Sequence, residues 1–241
     1  MSSRNLKILG LIGARSGSKG MPHKNIAPFA GKPLMAWIIE TAKRSRYINR
    51  LVLSTDSFEY AEVGKKFGAE IPFLRPEEFS TDESPEVEYV EHALRWLEEN
   101  ERYRPDLVVR VLPTLPLQTA DDIDACVAKI LNDNEAHSCM VVAETKQPLN
   151  KALMISDDGN YLVSALTKSG RDANPSSRQK HPATYFRANV IAVRPEVVLN
   201  EHSLSGERVL HHVISRDRAI DIDSPTDLFL AEQLFKKFAE Q

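Results

Sequence analysis

Apolar positions along the chain switch repeatedly between two periods. Short, nearly continuous Val/Ile/Leu runs alternate with longer segments whose apolar residues recur every three or four positions. The first pattern suits strands buried on both faces, the second amphipathic helices. Lys7–Ala14 predicts a first strand. Pro33–Ser45 predicts a helix with Leu34, Trp37, Ile38 and Ala42 on one face and Pro33 at its first position. Leu51–Leu53 predicts a second strand that runs out in Ser54-Thr55-Asp56, and Ser57–Phe67 a helix stopped by Gly68. Glu86–Asn100 carries Val87, Val90, Leu94 and Leu97 on one face. Leu107–Leu112 predicts a strand cut off by Pro113. Ala120–Leu131 predicts a helix with Ile123, Cys126, Val127 and Ile130 inward, and Ser138–Ala143 a further strand.

After Glu144 the rhythm breaks. Lys146–Tyr185 holds three prolines, a turn signal at Asp157-Asp158-Gly159-Asn160 and a polar, basic stretch from Lys168 to His181. It predicts an excursion with short strands and a mobile loop. Tyr185–Val193 returns as a strand, Ala219–Asp223 is the last strand, and Thr226–Phe238 a closing helix with Leu228, Ala231, Phe235 and Phe238 inward. Ser224, Pro225 and Asp227 fall at N-cap, N1 and N3, a variant capping box. The alternation implies an α/β fold of three layers, with a mainly parallel sheet between two sets of helices. The organisation expected is one domain over residues 1–241, with 146–185 inserted as an arm. Ligands of such sheets sit at the carboxyl ends of strands, which points to the loops after Ala14, Ser54 and Leu112.

Composition removes several classes of function. The 241 residues are 42% hydrophobic and 27% charged with a net charge of −3, which argues against a nucleic-acid binder. No apolar run approaches membrane-spanning length, and the first residues lack a signal-peptide core, so a cytoplasmic, non-membrane protein is expected. Two cysteines, Cys126 and Cys139, read as small core residues rather than a disulfide framework. The seven histidines show no metal-ligand spacing, His211-His212 included. No G-x-S-x-G elbow supports hydrolase chemistry.

Two stretches carry chemistry. The first strand empties into Arg15-Ser16-Gly17-Ser18-Lys19-Gly20-Met21-Pro22-His23-Lys24-Asn25, and no acidic residue precedes Glu40. Glycines there allow close backbone approach, successive N–H groups can cradle phosphate oxygens, and Arg15, Lys19 and Lys24 add positive charge. The spacing matches neither a Walker loop nor a dinucleotide fingerprint. The second stretch is Asp221-Ile222-Asp223, where i and i+2 share a side on a strand. Two adjacent carboxylates ask for a cation, and hard oxygen donors suit Mg²⁺. A solvated basic turn and a polar strand end are the plainer readings of the two stretches. Arg75, beside Pro76 in a loop, is a weaker signal for a base or carboxylate.

In order along the chain, these stretches resemble the acylneuraminate cytidylyltransferase family, the CMP-sialic acid synthetases. The matching pieces are Ala14–Gly20 with Lys24-Asn25, Gly31-Lys32-Pro33-Leu34, Val52–Asp56, Phe67-Gly68-Ala69, Phe73–Pro76, Leu112–Leu117 and Ile220–Asp223. The resemblance implies a Rossmann-like nucleotidyltransferase sheet and transfer of CMP from CTP to an α-keto acid sugar, with Mg²⁺ as cofactor. It implies nucleotide contacts from Ala14, Arg15, Ser18, Lys19, Lys24, Asn25 and Arg75. Catalytic roles fall to Arg15, Lys24, Asp221 and Asp223, the two aspartates holding the metal. Sugar-side groups would be Thr114, Gln118, Lys151, Arg178, Arg187 and Asn189, and the chain would form a homodimer with the 146–185 arm exchanged.

Three departures keep the acceptor open. Leu112 stands where the family usually has Gln, and Leu115-Pro116-Leu117-Gln118 stands for Ser-Pro-Leu-Arg. The returning strand reads Arg187-Ala188-Asn189-Val190-Ile191-Ala192-Val193 in place of Arg-x-Asn-Gly-Ala-Ile-Tyr. Sialic, legionaminic or pseudaminic acids and an eight-carbon keto acid all remain expectations. A catalytically silent nucleotide-binding protein is the alternative from another class.

Overall fold

The computed structural model describes residues 6–18, 20–147, 149–166 and 182–239. Strand β1 (Ile8–Gly13) shows how the short apolar runs build the molecule. Ile8 and Ile12 enter the core on one sheet face, while Leu9 and Leu11 enter the core on the other. Period-two alternation therefore feeds two apolar layers at once, each fully buried side chain contributing roughly 1.5–3 kcal/mol.

A small hairpin, β2 (Pro28–Phe29) and β3 (Lys32–Pro33), leads into helix α1 (Leu34–Lys43). Next come β4 (Arg50–Ser54) and α2 (Phe58–Phe67), which ends at Gly68 with φ 95°, the left-handed cap the sequence predicts. Helix α3 (Glu86–Glu101), β5 (Leu107–Val111), α4 (Ala120–Leu131) and β6 (Ser138–Glu144) continue the alternation. Among the described residues, strands β7 (Leu153–Ile155) and β8 (Leu162–Ser164) pair only with each other. The chain returns through β9 (Tyr185–Val193), α5 (Pro195–Glu201), β10 (Val209–Ile214) and α6 (Pro225–Ala239).

The six-stranded sheet has the order β10-β6-β9-β5-β1-β4. Pairings β1/β4, β1/β5 and β10/β6 are parallel, and β9 runs antiparallel between β5 and β6. Helices α1, α2 and α4 pack one face, α3 and α5 the other, and α6 covers the hairpin and the last connection. This is the three-layer, mainly parallel α/β architecture the alternation implies.

One expectation needs correction. Ala219–Asp223 is not a strand: it is a connection whose one backbone bond to a distant part of the chain is Ile222 N–H to Thr114 O (2.9 Å), among the described residues. The true last strand, β10, lies earlier and pairs with β6 at the sheet's edge. Its run Val209-Leu210-His211-His212-Val213-Ile214 is mostly exposed or half-buried, so it lacks the continuous apolar signature of the inner strands. The capping box at Ser224 and Asp227 is present, with Asp227 N–H donating to Ser224 Oγ and Ser224 N–H to Asp227 Oδ2. Of the 146–185 excursion, the described part is a short helical turn at Leu149–Lys151 and the β7–β8 hairpin. The basic stretch from Lys168 to His181 lies outside the described residues.

Candidate active site

Strands β1, β4 and β5 end side by side, and their carboxyl-end loops surround a cleft of about 400 Å³. After β1 the backbone stays tied to the sheet, because Ala14 N–H donates to Ser54 O at 3.0 Å. Ala14 is therefore a core residue between Gly13 and Arg15, which do line the cleft. The loop beyond is held by acids from elsewhere. Asp56 accepts from Ser16 N–H (2.8 Å) and Ser16 Oγ (2.7 Å). Asn25, buried, donates its amide to Arg15 O at 3.0 Å. Asn25 thus lines the cleft as a clamp on the loop, and Ser18, Gly20 and Lys24 complete that wall. Lys19 lies outside the described residues.

Arg75 is buried, and its guanidinium donates to Ser54 Oγ (3.0 Å) and Ser54 O (2.7 Å) while stacking 4.3 Å above the Tyr89 ring. Burial lowers its pKa below the ordinary arginine value, with Tyr89 and Asp56 raising it and Arg15 lowering it further. Its backbone N–H donates to Thr55 O, which carries the Phe73–Pro76 loop onto the end of β4. Tyr89 closes the floor beneath Gly13: a Cβ on Gly13 would stand 2.5 Å from the tyrosine ring.

The two aspartates arrive from the far end of the chain. Ile222 is fully buried against Phe29, Leu34 and Leu117, so the flanking Asp221 and Asp223 both turn outward into the cleft. The side-by-side arrangement expected of a strand is thus produced by one buried isoleucine in this connection. Asp223 Oδ1 accepts from Lys24 Nζ at 2.6 Å, and Arg15 Nη2 stands 2.5 Å from Asp82. Asp221 has its carboxyl pKa raised from 3.8, first by loss of hydration against the cleft walls, then by the charge of Asp223; Thr114 and Lys24 act the other way.

Among the described residues no group of three or more His, Cys, Asp or Glu could hold a metal ion. Of the carboxylates that line the cleft, Asp82, Glu86, Asp221 and Asp223, the last two are adjacent in the chain on either side of Ile222 and form the donor set that a shared ion would use. That set fits Mg²⁺, which keeps several waters and takes substrate phosphate oxygens in place of a protein cage.

The other expected sugar-side residues are not gathered as one set. Thr114 lines the cleft. Gln118 is buried and donates to Ala188 O, off the cleft surface. Lys151 is exposed on the arm, and Arg178 lies outside the described residues. Arg187 and Asn189 line a neighbouring pocket of about 560 Å³, which shares Glu86, Leu112 and Asp221 with the cleft. Asn189 has φ 63°, and its amide both accepts from Leu112 N–H and donates to Leu112 O (2.7 Å). It lies where β9 bulges between Arg187 and Ile191, bonds there to the residue just past the end of β5, and so shapes the wall between the two spaces.

Four contributors have no role in the sequence reading: Asp56, Asp82, Tyr89 and Arg110. Asp56 sits in the quoted Ser54-Thr55-Asp56 terminus, and Arg110 is a lone charge inside an apolar strand. Asp82 and Tyr89 reach the site only through the loop and helix that carry them.

Comparison with known proteins adds the following. The family model described as Cytidylyltransferase matches residues 9–234. The pseudaminic acid cytidylyltransferase of Campylobacter jejuni subsp. jejuni serotype O:2 is 30% identical, covering 96% of this chain and 97% of that protein. The CMP-N,N'-diacetyllegionaminic acid synthase of Legionella pneumophila subsp. pneumophila is 29% identical, covering 96% and 97%. The solved structure of CMP:2-keto-3-deoxy-manno-octonic acid synthetase complexed with CTP aligns with a TM-score of 0.70 at 14% identity, covering 96% of this chain and 99% of that one. At that identity the likeness is one of fold.

Proposed function

Since this chain belongs to the cytidylyltransferase family, we propose that it transfers CMP from CTP to the anomeric hydroxyl of a nonulosonic, sialic-acid-like α-keto acid sugar, releasing pyrophosphate. One observation carries the reading: Lys24 of the first loop and Asp223 of the last connection meet at 2.6 Å in a cleft that also holds Arg15, Arg75 and Asp221. A cation-rich loop facing two outward carboxylates is the arrangement that in-line displacement at phosphorus asks for.

The reaction needs little covalent help from protein. The anomeric hydroxyl attacks the α-phosphorus and pyrophosphate leaves opposite it, while negative charge builds on the phosphate oxygens. Arg15 and Lys24 are assigned to that charge, and Asn25 keeps the loop in register for it. Asp221 and Asp223 would hold Mg²⁺, which when bound supplies positive charge to the α-phosphate and the leaving group. Asp221 borders both spaces, so it stands where a proton acceptor for the sugar hydroxyl is needed.

The acceptor class follows from the relatives named for pseudaminic and legionaminic acids, both nonulosonic. A homodimer built on the 146–185 arm is proposed with it. The exposed Leu153, Met154, Ile155, Tyr161 and Leu162 on and around the β7–β8 hairpin support that assembly. A cytoplasmic setting suits two buried, unbridged cysteines.

The test is pyrophosphate release from CTP, with and without Mg²⁺, across N-acetylneuraminate, pseudaminate, N,N'-diacetyllegionaminate and an octulosonic acid. Release is expected with at least one nonulosonic acid and only with Mg²⁺. Silence across the panel, or preference for another nucleoside triphosphate, would overturn the proposal.

A further inference from the structure

Strand β5 buries one charge among apolar neighbours. Val108 and Arg110 share the sheet face covered by α3 and α5, and Arg110 is 3% exposed. Among the described residues its one ion pair is long, 3.3 Å from Nη2 to Oε2 of the exposed Glu86, and its Nε and Nη1 have no hydrogen-bond partner. A buried guanidinium with unmet donors is costly unless an anion completes it. Arg110 lines the 560 Å³ pocket beside the nucleotide cleft, together with Arg187, Asn189, Leu112 and Ser203, and Asp221 belongs to both spaces.

We propose that Arg110 is the specificity-determining anchor for the carboxylate of the acceptor in this second pocket. The inference rests on the function proposed above and deepens it. A carboxylate is the group that best matches guanidinium N–H donors. In an α-keto acid sugar the carboxyl carbon is bonded directly to the anomeric carbon. Fixing the carboxylate on Arg110 therefore holds the attacking hydroxyl oxygen two bonds from the carboxyl carbon, on the side of the pocket that opens toward Asp221 and the cleft. Glu86 is the placeholder that the acceptor displaces.

Steady-state kinetics on the full-length protein test this, with N-acetylneuraminate, pseudaminate and N,N'-diacetyllegionaminate as acceptors. Arg110→Gln should raise the acceptor KM by about tenfold or more while the CTP KM stays within about twofold, and Arg110→Lys should recover part of the loss. A folded Arg110→Gln protein with an unchanged acceptor KM overturns the anchor and leaves the function standing. A wild-type protein inactive on all three acids overturns the function and the anchor with it. Should Arg110→Gln fail to fold by circular dichroism, Glu86→Gln decides: removing the competing carboxylate should lower the acceptor KM by about twofold or more. An acceptor KM that stays level or rises in that variant overturns the anchor.

Discussion

Lys24 and Asp223 are 199 positions apart in the chain, and Lys24 Nζ lies 2.6 Å from Asp223 Oδ1. The aspartate is 72% exposed, so water screens the pair from that side although the lysine side chain is only 15% exposed. Such pairs contribute at most about 1 kcal/mol to stability. Asp223→Asn should therefore leave the urea midpoint nearly unchanged while turnover falls about 10²–10³-fold, the scale for losing one charge-stabilising group at a reacting centre. Pyrophosphate release checks the second half, and a normal rate would remove Asp223 from the chemistry.

Gly20 makes a closer contact with the same connection. A Cβ at Gly20 would lie 2.7 Å from the Asp223 carbonyl oxygen, a backbone atom that cannot swing aside. Gly20→Ala should push the loop off the aspartates. Because the loop is exposed there, the expected effect is a several-fold rise in CTP KM with a change in stability under about 1 kcal/mol. Thermal stabilisation by CTP, reduced against wild type, is the direct readout.

Asp221 gives a pH-dependent prediction. Its pKa is raised from 3.8 in the folded protein, so the native state binds this proton more tightly than the unfolded chain does. Stability then falls as pH rises through 3.8 and the folded value, and the penalty is complete above both. Asp221→Asn removes it: the melting temperature should rise at pH 7, and the gain should shrink toward zero as pH falls to about 3.8, while turnover is lost at every pH. A variant that is less stable at pH 7 would contradict the desolvation assigned to this carboxylate.

Asn189 serves the fold before it serves the site. Its amide satisfies both the N–H and the C=O of Leu112, at a backbone angle that asparagine tolerates better than most residues. Asn189→Ala should cost about 2–4 kcal/mol in chemical denaturation, from two backbone groups left without a partner plus the strained angle. Because Leu112 separates the two spaces, the acceptor KM should rise as well.

The inner elements were legible because each buries a continuous face. Runs such as Leu107–Val111, and the caps at Gly68 and Ser224, carry their instructions within a few residues. The edge strand Val209–Ile214 was not, since a strand half in water need not be apolar; the run through Asp221 and Asp223 took its place in the sequence reading. Helix Pro195–Glu201 was missed because its seven residues are too few to establish a period. At the site, the acid-free character of the first loop is true of the sequence, yet Asp56, Asp82 and Asp223 stand beside it in space.

By itself the sequence determined the layered α/β architecture and the two chemical signatures at opposite ends of the chain. Both are local: side-chain period, turn residues and the spacing of charges are written in contiguous stretches. Tertiary structure alone decided that those ends share one cleft, that Asn189 spends its amide on Leu112, and that Arg110 is sealed beside a second pocket with donors to spare. Those facts depend on which strand lies next to which, and strand order is set by the packing of whole faces, a sum over the entire chain that no short stretch contains.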